Sequence, residues 1–241
     1  MPTLAKRLII GLVALAALAI GGTVIYTKFI NQADKEFSQS DVEQRLDASD
    51  TTGGDTGAPA GTGAPTSDGV DGSWTIGDGS EVGYRVDETI NGISTTANGR
   101  SAAVTGSLTI TGTTVFAAEF SVDMATFTSS ESRRDGQFRG RIMDVAKYPK
   151  ATFTLTAPID FQQIPTDAGT VKANATGDLT LHGVSRSVTF ELTATFKNGR
   201  IGVLGQIPIV FADHNIDNPS FATITTDDHG VLEFVLVLGR T

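Results

Sequence analysis

Residues 73–241 predict an all-β domain of about eight antiparallel strands. Apolar and polar residues alternate with period two through segment after segment. Thr, Val, Phe and Gly dominate while charge is sparse, and turn dipeptides stand between the segments.

In chain order, EVGYRVDE puts Val82, Tyr84 and Val86 on one face. TTVFAAEFSVDM puts Phe116, Ala118, Phe120, Val122 and Met124 on one face against Glu119, Ser121 and Asp123. ATFTLTAPI reads as an unbroken alternation, with Phe153, Leu155, Ala157 and Ile159 opposite Thr152, Thr154 and Thr156. TVKANATGDLTL sets Val171, Ala173, Ala175, Gly177 and Leu179 on one side, and SVTFELTATF does so with Val188, Phe190, Leu192, Ala194 and Phe196. IGVLGQIPIVF and VLEFVLVLG close the series, and Pro208 in the former marks an edge or a bulge. Asn198-Gly199 is a hairpin signal, because type I′ turns need positive φ at both central residues. Asn91-Gly92, His182-Gly183 and His229-Gly230 are read as turns too. Eight such strands close into a barrel or pack as a sandwich. Ala118, Ala157, Ala173, Ala175, Gly177 and Ala194 recur on the faces expected to point inward. They leave volume in a hollow barrel or ease strand crossings in a filled one, and the pattern leaves both readings open.

Residues 129–148 break the β texture. Ser129, Ser130 and Glu131 resemble a helix start, and Phe138, Ile142, Met143 and Val145 supply apolar groups to pin a short helix. Tyr148-Pro149 ends it, since the residue before proline avoids the α region. Arg133, Arg134, Arg139 and Arg141 crowd this excursion beside Glu131, Asp135 and Asp144. They either pair among themselves or form a rim for an anionic head group.

Upstream, residues 8–26 form an uncharged run of nineteen. At about 1.5 Å per residue this matches the ~30 Å hydrocarbon core. Lys6 and Arg7 precede it, so the positive-inside rule expects the N-terminus in the cytoplasm and the rest outside. A signal peptide cleaved after Ala17–Ala19 is the competing reading, and it exports the domain as well. Residues 39–72, rich in Asp, Thr, Gly, Ala and Pro, read as a flexible acidic spacer, with a short juxtamembrane helix at 33–46 as a weaker signal. The expected division is therefore a cytoplasmic stub and single transmembrane anchor at 1–30, a linker at 31–72 and a β domain at 73–241.

A net charge of −9 and a pI near 4.7 argue against a nucleic-acid partner, which demands a basic footprint. With no cysteine there are neither disulfides nor thiolate metal sites. His182, His214 and His229 lack metal-ligand spacing, no G-x-S-x-G occurs, and no Gly-rich phosphate loop joins a strand to a helix. No enzyme, metal or cofactor is expected.

Two blocks carry a family resemblance. Asp144-Val145-x-Lys147-Tyr148-Pro149-x-x-Thr152-Phe153 and Gly177-Asp178-Leu179-Thr180-Leu181-His182-Gly183-Val184-x-Arg186-x-Val188-Thr189 follow Trp74-Thr75-Ile76 and Arg134-Asp135. Together they resemble the YceI-like family from residue 73 to the C-terminus. The resemblance implies an eight-stranded antiparallel, lipocalin-like barrel around an apolar tunnel, outside the bacterial cytoplasm, holding a polyisoprenoid or other apolar lipid without catalysis. The implied cavity wall contains Phe116, Phe120, Phe153, Leu155, Leu179, Phe190 and Leu192, and the implied ligand-head rim contains Arg134, Asp135 and Arg139. The rival is a filled barrel displayed as a surface interaction module. Core packing separates the two.

Overall fold

Two-residue hairpins set much of the strand order. Asn91-Gly92, His182-Gly183 and Asn198-Gly199 each take positive φ at both positions (49° and 83°, 50° and 76°, 53° and 68°), the type I′ geometry expected of these dipeptides. The computed structural model describes residues 33–48, 69–165 and 169–241. The anticipated span at 8–26 lies outside them. Among the described residues no helix is long and apolar enough to cross a membrane.

The strands are β1 (Gly72–Ile76), β2 (Glu81–Ile90), β3 (Ile93–Ser101), β4 (Val104–Thr111), β5 (Thr114–Asp123), β6 (Lys150–Ala157), β7 (Ile159–Asp160), β8 (Thr170–Leu181), β9 (Val184–Lys197), β10 (Arg200–Val210), β11 (Ile224–Thr226) and β12 (His229–Arg240). They form one sheet, antiparallel at every pairing among the described residues. The ring β1-β4-β5-β6-β8-β9-β10-β12 closes through β1 on β12, giving an eight-stranded barrel. β12 is shared. Its Leu238–Arg240 end pairs with β1, and its Val231–Val235 stretch pairs with β2, which β3 extends. Pro208 sits where β10 keeps β12 as partner but has already left β9, so its missing N–H costs no ladder bond on that side.

Two alternations slip, and both slips are bulges. Ile110 pairs with Val115 and Thr109 with Ala117, which leaves Phe116 as an extra residue in β5. Leu155 pairs with Gly177 and Ala157 with Thr176, which leaves Thr156 extra in β6. Past an inserted residue the two faces exchange. Phe116 is 57% exposed and Ala157 is also exposed, against the inward placement expected of both. His229-Gly230 begins β12 instead of turning the chain. A Cβ on Gly230 would stand 2.8 Å from the Arg85 carbonyl, so the glycine serves close approach of β2.

The main core cluster lines the inside of the barrel and includes Trp74, Leu108, Leu179, Phe190, Leu192, Leu236 and Leu238. A second cluster lies under residues 129–148. There the short helix α2 (Ser132–Gln137), capped by the Glu131 side chain, runs into a π-type turn at Phe138–Ile142. Phe138 stacks on Tyr84 at 4.9 Å and meets Phe127 at 5.1 Å. The two blocks of the family resemblance touch. The Tyr148 ring packs edge-on to His182 at 4.5 Å and covers Gly183, where a Cβ would fall 2.4 Å from it.

The expected spacer is ordered at its start. Residues 33–38 take no regular secondary structure and lead into a helix, α1 (Gln39–Ala48), on the outer wall of the barrel. Asp41 accepts from both the backbone N–H and the hydroxyl of Ser38, closing the helix start. Phe37, Val42 and Leu46 bury against Val235 and Val237, the outward residues of β12. Leu46, Val235 and Val237 are all 0% exposed. The helix therefore begins about six residues later than the sequence signal, and it is bound to the barrel.

Candidate functional site

The barrel lumen holds a chamber of about 200 Å³ with an apolar wall. Phe120, Phe153, Leu155, Leu179, Phe190 and Leu192 line it, joined by Ala118, Ala175 and Ala194. Gly112, Thr113, Gln163, Ile164 and Pro165 stand around it at the β4–β5 hairpin end. Phe116, expected in this wall, points away because of the β5 bulge and does not reach the chamber.

A second chamber of about 570 Å³ opens at the other end, between β2, β12 and the 129–148 excursion. Its floor is Tyr84, Phe127, Phe138, Met143, Phe211 and Ile216. Glu88, Glu131, Arg133 and Arg134 add polar groups to its wall, and Gln137 and Phe221 lie at its exposed edge. Met124, Phe127, Leu181 and Leu232 line both chambers, so an apolar partition one side chain thick separates them. Methionine is the most adaptable of these side chains.

The three expected rim residues have different roles. Arg134 lines the second chamber, its Nη2 3.1 Å from Glu88 Oε1, with both side chains largely buried. Asp135 instead accepts from Ser129 Oγ at 2.6 Å beneath α2, and Arg139 donates to the Phe127 carbonyl at 3.2 Å. Neither of these lines a chamber. Asp135 braces the excursion internally, while Arg139 ties it to the segment before it and Arg141 ties it to the 215–223 loop by donating to the Pro219 carbonyl at 2.9 Å.

Glu88 and Tyr84 were missed as site residues. Their signal is phase, because Glu88 continues the Val82, Tyr84, Val86 face and so places a carboxylate in step with apolar neighbours. Burial pushes the Tyr84 hydroxyl well above the ordinary phenol range, so it stays protonated. The histidines do not converge. His182 Nδ1 lies 3.3 Å from the His214 carbonyl, His214 Nδ1 lies 3.3 Å from the Val184 carbonyl, and His229 pairs with Asp228 in solvent. Among the described residues no group of three or more His, Asp or Glu is placed to hold a metal.

Known proteins resemble the chain at three levels. A UPF0312 protein of Vibrio campbellii (strain ATCC BAA-1116) is 34% identical over 102 residues, covering 39% of this chain and 50% of that protein. A UPF0312 protein of Pseudomonas putida (strain W619) is 40% identical over 80 residues, covering 32% of this chain and 38% of that one. The chain thus spans about half the length or less of the curated relatives it matches. Among solved structures, a polyisoprenoid binding domain from Saccharophagus degradans superposes with a TM-score of 0.57 at 18% identity, over 70% of this chain and 98% of its own. Burkholderia cenocepacia BcnA gives 0.52 at 23% identity, over 66% and 95%. These two likenesses establish a shared fold. The YceI-like domain model matches residues 74–238, a span that runs from β1 to β12 and takes in both lumen chambers, and the chain accordingly belongs to the YceI-like family.

Proposed function

We propose that the barrel binds an apolar lipid chain of the polyisoprenoid type, and that residues 8–26 hold it at a membrane with the barrel outside the cytoplasm. The observation that carries the ligand reading is the carbon-walled lumen. An apolar cavity offers water no hydrogen-bond partners, whereas a hydrocarbon chain gains ~0.8 kcal/mol for each CH₂ it buries. A filled display barrel would have no such space. The second chamber suits the polar end of the ligand, because Arg134 and Glu88 present charge beside an apolar floor. Displacing Met124 and Phe127 would join the two chambers into one path for a long chain. Membrane attachment is supported by the nineteen uncharged residues at 8–26, and orientation by Lys6 and Arg7 before them.

The test is to purify the full chain, extract it with organic solvent and analyse the extract by mass spectrometry. The stripped protein is then offered a polyprenol. A co-purifying or incorporated isoprenoid is the expected result. Folded protein with no lipid and no uptake would refute the reading.

A further inference from the structure

Resting on the membrane attachment proposed above, we infer that the chain clamps its barrel against the bilayer with the second chamber's mouth facing the lipid. A free spacer would hold the barrel away from the surface. A free spacer from Tyr26 to Gly72 would comprise 46 residues, with an r.m.s. length near ~37 Å and a contour of ~150 Å. The structure shortens it sharply. Asp34 is already fastened to the wall, its carbonyl accepting from Arg85 at 2.6 Å and its carboxylate from Asn98 at 3.0 Å. Phe37 follows, under the Arg100 guanidinium at 3.8 Å and donating its N–H to the buried Glu233. Only six residues lie between Tyr26 and Ala33, and the seven Cα–Cα steps reach at most ~25 Å whatever the conformation.

The point of attachment selects the end. Arg85 pairs with Val231, two residues from the start of β12 and nine from its finish. From there the strap and α1 run toward the opposite end, where Asp47 meets Lys197 beside the Asn198-Gly199 hairpin. The twelve residues of β12, tilted as barrel strands are, separate the ends by roughly 30 Å. The leash thus emerges beside the second chamber. At that end Phe221 is 67% and Val210 45% exposed, two of the large apolar side chains the described residues leave to solvent. Asp217, Asp227 and Asp228 share this end with Arg133 and Arg141, so the surface offers the bilayer apolar contact without a net basic charge. A lipid leaving the bilayer would enter the chamber without crossing bulk water.

The cysteine-free chain allows a direct test. Full-length protein carrying Thr223→Cys, at the mouth, or Thr111→Cys, at the opposite end, is labelled with a donor fluorophore. It is then reconstituted in phosphatidylcholine–phosphatidylglycerol vesicles bearing acceptor lipids. Transfer should be several-fold greater from position 223. Inserting a Gly/Ser segment between Gln32 and Ala33, which leaves the clamp intact, should abolish the difference. Equal or reversed transfer from protein that floats with the vesicles overturns the orientation alone. Protein that does not float overturns the attachment reading and this inference with it.

Discussion

Ala194→Phe should close the first chamber to ligand while leaving the barrel folded. Ala194 lines the lumen yet is only half-buried, so its open surface faces the chamber. A phenyl ring there occupies the space of about one five-carbon isoprene unit. At ~0.8 kcal/mol per carbon, excluding that unit removes up to ~4 kcal/mol of burial. With ~1.4 kcal/mol per decade, affinity for a long polyprenol should fall between ~10- and ~1,000-fold, the lower figure applying where the chain shifts around the ring. The ring fills existing space, so the ligand-free protein should melt at the same temperature or higher. A fall in melting temperature would instead report overpacking of ~1–3 kcal/mol. The assay is competition of stripped protein for a fluorescent polyprenol, against Thr193→Phe on the neighbouring, outward-facing position. Unchanged affinity in folded Ala194→Phe would refute the lumen as the binding site.

Leu46→Ala should cost ~2–5 kcal/mol at the α1–barrel contact, because Leu46 is wholly buried against β12. Hydrogen exchange should rise in 39–48 and stay slow in the strands. Arg134→Met should destabilise by up to ~3 kcal/mol by stranding Glu88 at the chamber wall. The double variant with Glu88→Met should cost less than the two single changes summed, as read from urea melts. His214 supplies a pH dependence. Burial holds its imidazole below the ordinary 6.5, so its stabilising contribution is complete above that pH and is lost as pH falls through the folded value. Glu233 shifts the other way, raised by burial above 4.5, and its contribution is lost as pH rises. The stability difference between wild type and His214→Gln, followed below pH 6.5, isolates the histidine and should shrink with acid.

Most strands were legible because they bury one face, and period two records that burial directly. Phe120, Phe153, Leu155, Leu179, Phe190 and Leu192 could be read from it. Phe116 could not, since a bulge is a property of two strands in register and leaves no mark on either one alone. The arginine cluster was visible as composition but not as function. Only the packed excursion separates Arg134, in a chamber wall, from Arg139 and Asp135, which tie down loops. The helix near 33–46 gave a weak signal, but its docking was hidden because three apolar residues among many polar ones carry too weak a period. Its partner stripe, Val235 and Val237, belongs to a strand whose two faces are both apolar and so looks simply buried.

The sequence by itself determined the all-β class, the turns at Asn91-Gly92, His182-Gly183 and Asn198-Gly199, and the family, because these depend on local φ preferences and on residues close in the chain. The tertiary structure alone decided that the lumen is hollow, that it divides at Met124, Phe127, Leu181 and Leu232, and that residues 33–48 clasp the outer wall. Volume left unfilled and surfaces that cover each other are sums over distant residues, and no single stretch of chain encodes them.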